Sequence, residues 1–269
     1  MQHATRNTLY ASLLIALAAC AESPRVTPTP ATIALAASST LSAPLDDLTR
    51  QYRGKCPWIT FQAEALDSEA ALDLLENGAV DLAFVSWLPP DVEPDVWSSP
   101  LAYDAVAVIV HPSNPVTGLS LAEVRDIFQG RVLDWSVFGW TNGNVTVVSR
   151  EDGSGTRDAF EALTLEGRPV TPGAIVLPDG DAVVDAVART PGAIGYVSRG
   201  RVTPAVKPIE IEGVAPLPSN VANNSYPVGR LLYVVARDEP AGAARDFVAW
   251  LLGPEGQQAI ADKGLGRVR

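Results

Sequence analysis

The chain has 269 residues, of which 47% are hydrophobic and 19% charged, as expected for a globular protein of one or two domains rather than a disordered chain. Its formal net charge of −11 argues against a nucleic-acid-binding function. This charge leaves anion binding open, because backbone N–H groups and helix N-termini hold a buried anion whatever the distant surface charge.

An apolar segment near the start predicts a secretory signal over residues 1–19. Arg6 provides a positive flank, residues 9–19 are apolar, and small residues lead into Cys20. The run is too short for a transmembrane helix, which requires roughly 20 apolar residues. Loss of Arg6 with the signal takes the formal net charge from −11 to −12.

The end of the predicted signal, Leu17-Ala18-Ala19-Cys20, resembles a bacterial lipobox, whose cysteine is acylated and becomes the first residue of the mature protein. The alternative is an ordinary signal peptide with an incidental cysteine. Acylation of Cys20 leaves Cys56, the second of two cysteines, without a disulfide partner, and we expect Cys56 to be a buried small hydrophobe. Residues 20–31 are rich in proline and threonine, which predicts a flexible tether.

From Thr32 onward, short apolar runs alternate with helical patterns. The order strand, helix, strand, helix, strand at the start of this region indicates a parallel sheet covered by helices. Strands are predicted at 32–36, 58–62, 81–85, 105–110, 145–149, 193–197 and 231–236. Helices are predicted at 38–53, 68–77, 121–128, 154–163, 181–189, 241–252 and 254–263.

This element order predicts an α/β protein with two lobes, mixed sheets flanked by helices, and a ligand cleft between the lobes. The chain is expected to cross between the lobes twice, near residues 103–107 and 227–231. Lobe 1 is then formed by residues 32–104 together with 228–269, and lobe 2 by residues 105–227.

The segment from Ser149 to Arg157 (SREDGSGTR) lies between a predicted strand and a predicted helix. Gly153 and Gly155 allow the backbone to approach a ligand closely, and Ser154 and Thr156 add hydroxyl donors. The helix that follows directs free N–H groups and the positive end of its dipole at the same point. The segment therefore has the features of an anion cradle.

Arg150, in the same segment, can offer two parallel hydrogen bonds to a tetrahedral oxyanion, and we expect Asp152 to fix the orientation of its guanidinium. The alternative is a structural one, in which Ser154 or Thr156 simply caps the helix.

The pattern R-x-D-G-S-G-T at the head of a helix resembles the signature of phosphate-binding proteins of ABC transporters. Four further segments resemble the same family in the same order along the chain, at residues 38–44 (SSTLSAP), 105–135, 191–197 (PGAIGYV) and 251–260 (LLGPEGQQAI). Five matches in order are far more specific than one glycine-rich loop. The resemblance implies a periplasmic-binding-protein fold of type II.

The resemblance also implies that Thr40 contacts the anion through its hydroxyl and Leu41 through its backbone N–H. Ser68 falls where the family places another hydroxyl donor, although a helix cap is the alternative role for this residue. The predicted ligand-binding residues are Ser39, Thr40, Leu41, Ser68, Ser86, Arg150, Asp152, Ser154, Gly155 and Thr156.

One position departs from the family. After the predicted strand at 81–85 and Ser86, the family usually supplies an Asp or an Arg, and this chain has Trp87. Ser86 can still donate a hydrogen bond, and the acids Asp67 and Glu69 are candidate proton acceptors, although acids at a helix start are more typical as dipole partners. Phosphate is the first expected ligand, and molybdate, tungstate or sulfate are the alternatives.

The sequence thus predicts an extracytoplasmic lipoprotein, held at the membrane through Cys20, that delivers inorganic phosphate to the permease subunits of an ABC transporter. We expect a monomer with no cofactor, no metal and no nucleic-acid partner. An anchored sensing or adhesion module of the same fold is the alternative. An enzyme is not expected, because Gly153 directly precedes Ser154, unlike G-x-S-x-G, and His111 is the only histidine outside the signal.

Overall fold

The computed structural model describes residues 29–88, 96–141 and 143–268. The predicted signal, Cys20 and most of the predicted tether lie outside these residues. Within the described ranges, none of the helices combines the length and the apolar character needed to cross a membrane. These ranges also contain no cluster of three or more His, Cys, Asp or Glu side chains arranged to hold a metal ion.

The described chain forms eleven strands, which include all seven predicted ones. The first begins at Ala31, inside the predicted tether. The strands are β1 (Ala31–Ser38), β2 (Ile59–Leu66), β3 (Leu82–Val85), β4 (Trp97–Val110), β5 (Gly118–Leu119), β6 (Thr146–Arg150), β7 (Ile175–Leu177), β8 (Ala193–Ser198), β9 (Lys207–Pro208), β10 (Glu210–Ile211) and β11 (Gly229–Ala236).

All seven predicted helices are present, together with one short helix that was not predicted. The helices are α1 (Ser39–Lys55), α2 (Ser68–Glu76), α3 (Leu121–Phe128), α4 (Gly155–Thr164), α5 (Gly180–Arg189), α6 (Pro218–Ala222), α7 (Gly242–Leu252) and α8 (Pro254–Ala261). Helix α3 has the predicted bounds because Ser120 and Glu123 form a capping box at its start. Short 3-10 turns add residues 135–138 and 199–201.

The principal sheet has the strand order β2-β1-β3-β11-β4-β8-β6-β7, with β9 paired to β4. Strand β1 is parallel to both β2 and β3, which confirms the parallel arrangement predicted for the start of the domain. Strand β11 is antiparallel to β3 and β4, and β8 is antiparallel to β4. The sheet is therefore mixed, as predicted.

Strand β4 is longer than predicted because only its apolar second part, from Ala105, has an obvious strand pattern. Its first part contains Pro100 and two serines, and it is held by antiparallel pairing to β11. The register shifts between Leu232 and Tyr233, opposite Pro100, as expected where a proline cannot donate to the ladder. From Val106 onward β4 pairs with β8 instead.

Two large hydrophobic clusters lie on either side of this change of partner. The first contains Leu35, Phe84 and Phe247, and Cys56 packs against it half-buried rather than buried. The second contains Phe128, Trp135, Phe160 and Tyr196, with the rings of Phe160 and Tyr196 stacked at a centroid distance of 4.0 Å. Two cores joined by the continuous strand β4 give the two-lobed α/β architecture that the sequence predicted.

Candidate functional site

Three helix N-termini converge where the two halves of the molecule meet. Helix α1 begins at Ser39, α2 at Ser68 and α4 at Gly155. Thr40 Oγ1 lies 3.1 Å from Thr156 Oγ1, and a Cβ atom on Gly155 would lie only 2.4 Å from Ser68 Oγ. The first N–H groups of a helix have no partner inside it, so three positive dipole ends point into one small region.

Buried hydroxyl groups form a connected chain on the β1 and β3 side of this region. Ser68 Oγ accepts a hydrogen bond from Ser86 N at 3.1 Å and lies 3.2 Å from Ser86 Oγ. Ser86 Oγ in turn donates to Ser38 Oγ at 3.0 Å. The structure thus brings together Ser68 and Ser86, two of the predicted ligand-binding residues, and adds Ser38, which was not among them.

Arg150 ends β6 with its side chain only 3% exposed. Its Nη2 donates to the carbonyl of Pro178 at 2.8 Å, and its Nε donates to the carbonyl of Leu177 at 3.3 Å. Burial lowers the pKa of the Arg150 guanidinium, and the nearby charge of Glu151 opposes that shift. An arginine stays protonated at neutral pH, so Arg150 places a formal positive charge in a desolvated position.

A small enclosed cavity lies beside Arg150. Besides Arg150, the polar side chains on its wall are those of Ser39, Thr40, Thr156, Tyr196, Ser198 and Arg201. Burial raises the pKa of Tyr196 to about 12, so its hydroxyl is neutral at physiological pH. That hydroxyl lies 2.7 Å from Ser149 Oγ. None of the described residues on the cavity wall carries a carboxylate, which gives the cavity the character of an anion site.

The predicted role of Asp152 is wrong. Its carboxylate lies 2.6 Å from Arg157 Nη1, and the Asp152 side chain is 94% exposed. Arg157 also binds Glu161 at 2.8 Å. Asp152 therefore stands on the solvent side of the loop, whereas the guanidinium of Arg150 is directed inward to the Leu177 and Pro178 carbonyls.

The remaining predicted residues have mixed roles. The Ser154 side chain accepts from the Arg157 backbone N at 3.5 Å, which is the helix-capping role given as the alternative. Leu41 packs its side chain into the first core cluster, and its backbone lies in the first turn of α1. Ser39 offers its carbonyl to Arg201, a residue that the sequence reasoning missed.

Arg230 was also missed. It is fully buried in an ion pair with Asp104, and it donates to Thr156 Oγ1 at 3.1 Å. The sequence carried a signal, because each residue of the pair is a single charge beside an otherwise apolar strand segment. Neither strand by itself shows that the two charges meet.

Trp87, the residue that departs from the family pattern, lies between the two halves. It follows β3 in the chain, yet its ring packs against the second core cluster. Asp67, one of the candidate proton acceptors, caps α2 by accepting from Ala70 N at 2.8 Å. The backbone N–H of Glu69 donates across to the carbonyl of Gly153 at 3.3 Å. At the position where the family resemblance implies a polar side chain, this chain therefore makes an apolar contact.

The mouth of the cleft is acidic. An open groove beside the site is lined by one cation, Arg201, and by five acids: Asp46, Asp67, Glu151, Asp179 and Asp181. The negative net charge of the chain adds to this local excess. An anion entering the cleft therefore meets a repulsive field before it reaches the buried positive groups.

Comparison with known proteins agrees with this geometry. The profile of the PBP superfamily domain matches residues 22–255. The phosphate-binding protein PstS of Bacillus subtilis is 30% identical over 215 residues, which cover 77% of this chain and 71% of that protein. The phosphate-binding protein PstS of Pseudomonas aeruginosa is 28% identical over 258 residues, with coverage of 84% and 80%.

Solved structures show the same relationship. A Clostridium perfringens protein, described as a phosphate ABC transporter substrate-binding protein with bound phosphate, superposes with a TM-score of 0.83 at 27% identity over 89% of this chain and all of that one. An ABC-type phosphate transport receptor from Vibrio cholerae gives a TM-score of 0.75 at 27% identity over 87% and 99%. The chain therefore belongs to the PBP superfamily and, within it, to the family of PstS-type phosphate-binding proteins.

Proposed function

We propose that this protein captures inorganic phosphate in the cleft between its two lobes and delivers it to the permease subunits of an ABC transporter. The observation that carries the proposal is the convergence of the α1, α2 and α4 N-termini beside the buried charge of Arg150. Three dipole ends, several hydroxyl donors and one guanidinium together can replace much of the hydration that a dianion loses on burial. The PstS-type relatives support the same ligand.

The groups proposed to contact the anion come from both lobes: Ser39, Thr40, Leu41, Ser68, Ser86, Arg150, Ser154, Gly155 and Thr156. Asp152 is excluded from this set because it pairs with Arg157 on the solvent side. We place the lobe boundary at residues 104–105 and 227–228. The change of β4 partner from β11 to β8 supports the first boundary, and the start of β11 at Gly229 supports the second.

The protein acts outside the cytoplasm as a monomer, anchored to the membrane through a lipid on Cys20. The lipobox resemblance and the phosphate-transport relatives support this placement. Binding without catalysis is supported by the surroundings of the two residues that a serine hydrolase would need. Ser154 Oγ accepts from the Arg157 backbone, and His111 Nδ1 lies 2.8 Å from Ser113 Oγ.

A second candidate function is the capture of a fully ionised oxyanion such as sulfate, molybdate or tungstate. The observation in its favour is the apolar contact made by Trp87, because hydrogen phosphate carries a proton that is best met by an acceptor. Sulfate, molybdate and tungstate dianions carry no such proton. Phosphate remains the first candidate because hydroxyl groups such as those of Ser86 and Thr40 can accept as well as donate.

A thermal-shift screen distinguishes these candidates. Phosphate at about 100 times its Kd should stabilise the folded protein by about 2.7 kcal/mol, seen as a rise in Tm, while neutral solutes should have no effect. A larger rise with sulfate, molybdate or tungstate than with phosphate would overturn the choice of anion and leave the site in place. A Tm unchanged by all the oxyanions would contradict the binding function.

The acidic mouth predicts an unusual salt dependence of association. Raising NaCl from about 10 mM to about 150 mM should increase the association rate constant for phosphate by about threefold, because salt screens the repulsion between the anion and the five acids. Stopped-flow tryptophan fluorescence measures this rate. The dissociation rate constant, which is set inside the closed cleft, should change less. An association rate constant that falls with salt would show that attraction controls entry.

A further inference from the structure

Arg230 and Asp104 form an ion pair at the centre of the molecule. Arg230 lies on β11 and Asp104 on β4, and both side chains are completely buried. Asp104 Oδ2 accepts from Arg230 Nε at 3.0 Å and from Arg230 Nη2 at 2.8 Å. A buried ion pair is often no more stabilising than apolar side chains of similar size, so stability alone does not account for this pair.

The pair is connected to elements on the far side of the cleft. Asp104 Oδ1 accepts from Ser198 Oγ at 2.9 Å and from Arg199 N at 3.1 Å. Arg230 Nη1 donates to the carbonyl of Gly155 and to Thr156 Oγ1, both at 3.1 Å. The pair therefore joins the two central strands to the end of β8 and to the first turn of α4.

The hydrogen bond between Arg230 and Thr156 can run in only one direction. A guanidinium has only donors, so Thr156 Oγ1 must accept from Arg230. The Thr156 hydroxyl hydrogen is then directed away from Arg230. The next polar group is Thr40 Oγ1, 3.1 Å away, and both threonines line the cavity beside Arg150.

We propose that Arg230, held by Asp104, is a positioning residue that fixes the Thr156 hydroxyl as a donor to the bound anion. This inference rests on the proposed function of the cleft. Arg150 acts through its positive charge, because its described side-chain hydrogen bonds run to backbone carbonyls, which are neutral and do not cancel that charge. Arg230 acts through orientation, because Asp104 balances its charge. In this proposal the effect of Arg230 on phosphate binding passes through the Thr156 hydroxyl rather than through its second contact, the Gly155 carbonyl.

A double-mutant cycle tests this route, with phosphate affinity measured by calorimetry. Thr156→Val removes the hydroxyl and should weaken binding about tenfold. The paired replacement of Arg230→Met with Asp104→Leu leaves no unpaired buried charge and should weaken binding about three- to tenfold. All three changes together should bind phosphate about as weakly as Thr156→Val alone, because the oriented hydroxyl is already absent.

Losses that multiply, so that the combined variant is about thirty- to a hundredfold weaker than wild type, would overturn the proposal. If the paired replacement does not fold, the same cycle with Arg230→Lys keeps the test intact, since one ammonium cannot hold Asp104, Gly155 and Thr156 together. The control is the exposed pair on α7, with Arg245→Gln and Asp246→Asn, which should bind like wild type. Wild-type protein that fails to bind phosphate would instead refute the proposed function.

Discussion

Replacing Arg150 with alanine should weaken phosphate binding about a hundredfold, a loss of roughly 3 kcal/mol, without unfolding the protein. A dianion that leaves water loses hydration that neutral N–H dipoles replace only in part. The guanidinium of Arg150 lies on the cavity wall, where it binds the Leu177 and Pro178 carbonyls and lies 3.6 Å from Glu151 Oε1. Arg201, the second guanidinium on this wall, is paired with Asp181. Calorimetry with phosphate measures the loss, and circular dichroism checks the fold.

Arg157→Ala is the matched control, because Arg157 lies in the same segment but is engaged by Asp152 and Glu161. It should lose less than about threefold in affinity, which corresponds to roughly 0.6 kcal/mol. Unchanged affinity in a folded Arg150→Ala protein would contradict the assigned anion site. An equal loss of phosphate affinity in both variants would show that the two arginines attract the anion by their combined charge, and that Arg150 has no special role.

Gly155→Ala should also weaken phosphate binding by up to about a hundredfold, through a different cause. The added methyl carbon would lie 2.4 Å from Ser68 Oγ and 3.1 Å from Trp87 N, both on the opposite side of the cleft. Overpacking of this kind costs about 1 to 3 kcal/mol, and here the cost falls on the closed state. We therefore expect small-angle scattering with saturating phosphate to show less compaction than in wild type.

Gly54→Ala provides the control for this change. Gly54 is also a helical glycine, in α1, and a Cβ atom there would have nothing within 4 Å. Alanine is the better helix former, so Gly54→Ala should leave affinity unchanged and raise stability by about 0.5 to 1 kcal/mol. Full affinity in Gly155→Ala would mean that α2 and α4 do not approach this closely when phosphate is bound.

Much of the fold could be predicted because its elements have strong local patterns. The apolar run at 105–110 and the capping box of α3 depend only on neighbours in the chain. The first part of β4 and the three-residue strand β7 could not be found this way. Both are held by partners distant in sequence, β11 for the former and β6 for the latter.

The part of the site that could be predicted is the part whose residues lie close together in the sequence. Arg150, Gly155 and Thr156 follow one another at a strand-to-helix turn, where the chemistry of an anion cradle can be recognised. The Arg230–Asp104 pair depends on two strands 126 residues apart in sequence. The error over Asp152 has the opposite cause, since a residue two positions from Arg150 faces solvent and pairs with Arg157 instead.

Binding of one phosphate per chain in the cleft can be measured by titrating phosphate-free protein with phosphate in a calorimeter at neutral pH. We expect a single saturable site with a stoichiometry of one per chain. The Kd should be about 1 μM or tighter, equivalent to about −8.2 kcal/mol. Parallel titration of the Arg150→Ala protein should show the weakened binding described above. No saturable heat from wild-type protein, or a stoichiometry other than one, would show that the cleft does not bind one phosphate per chain.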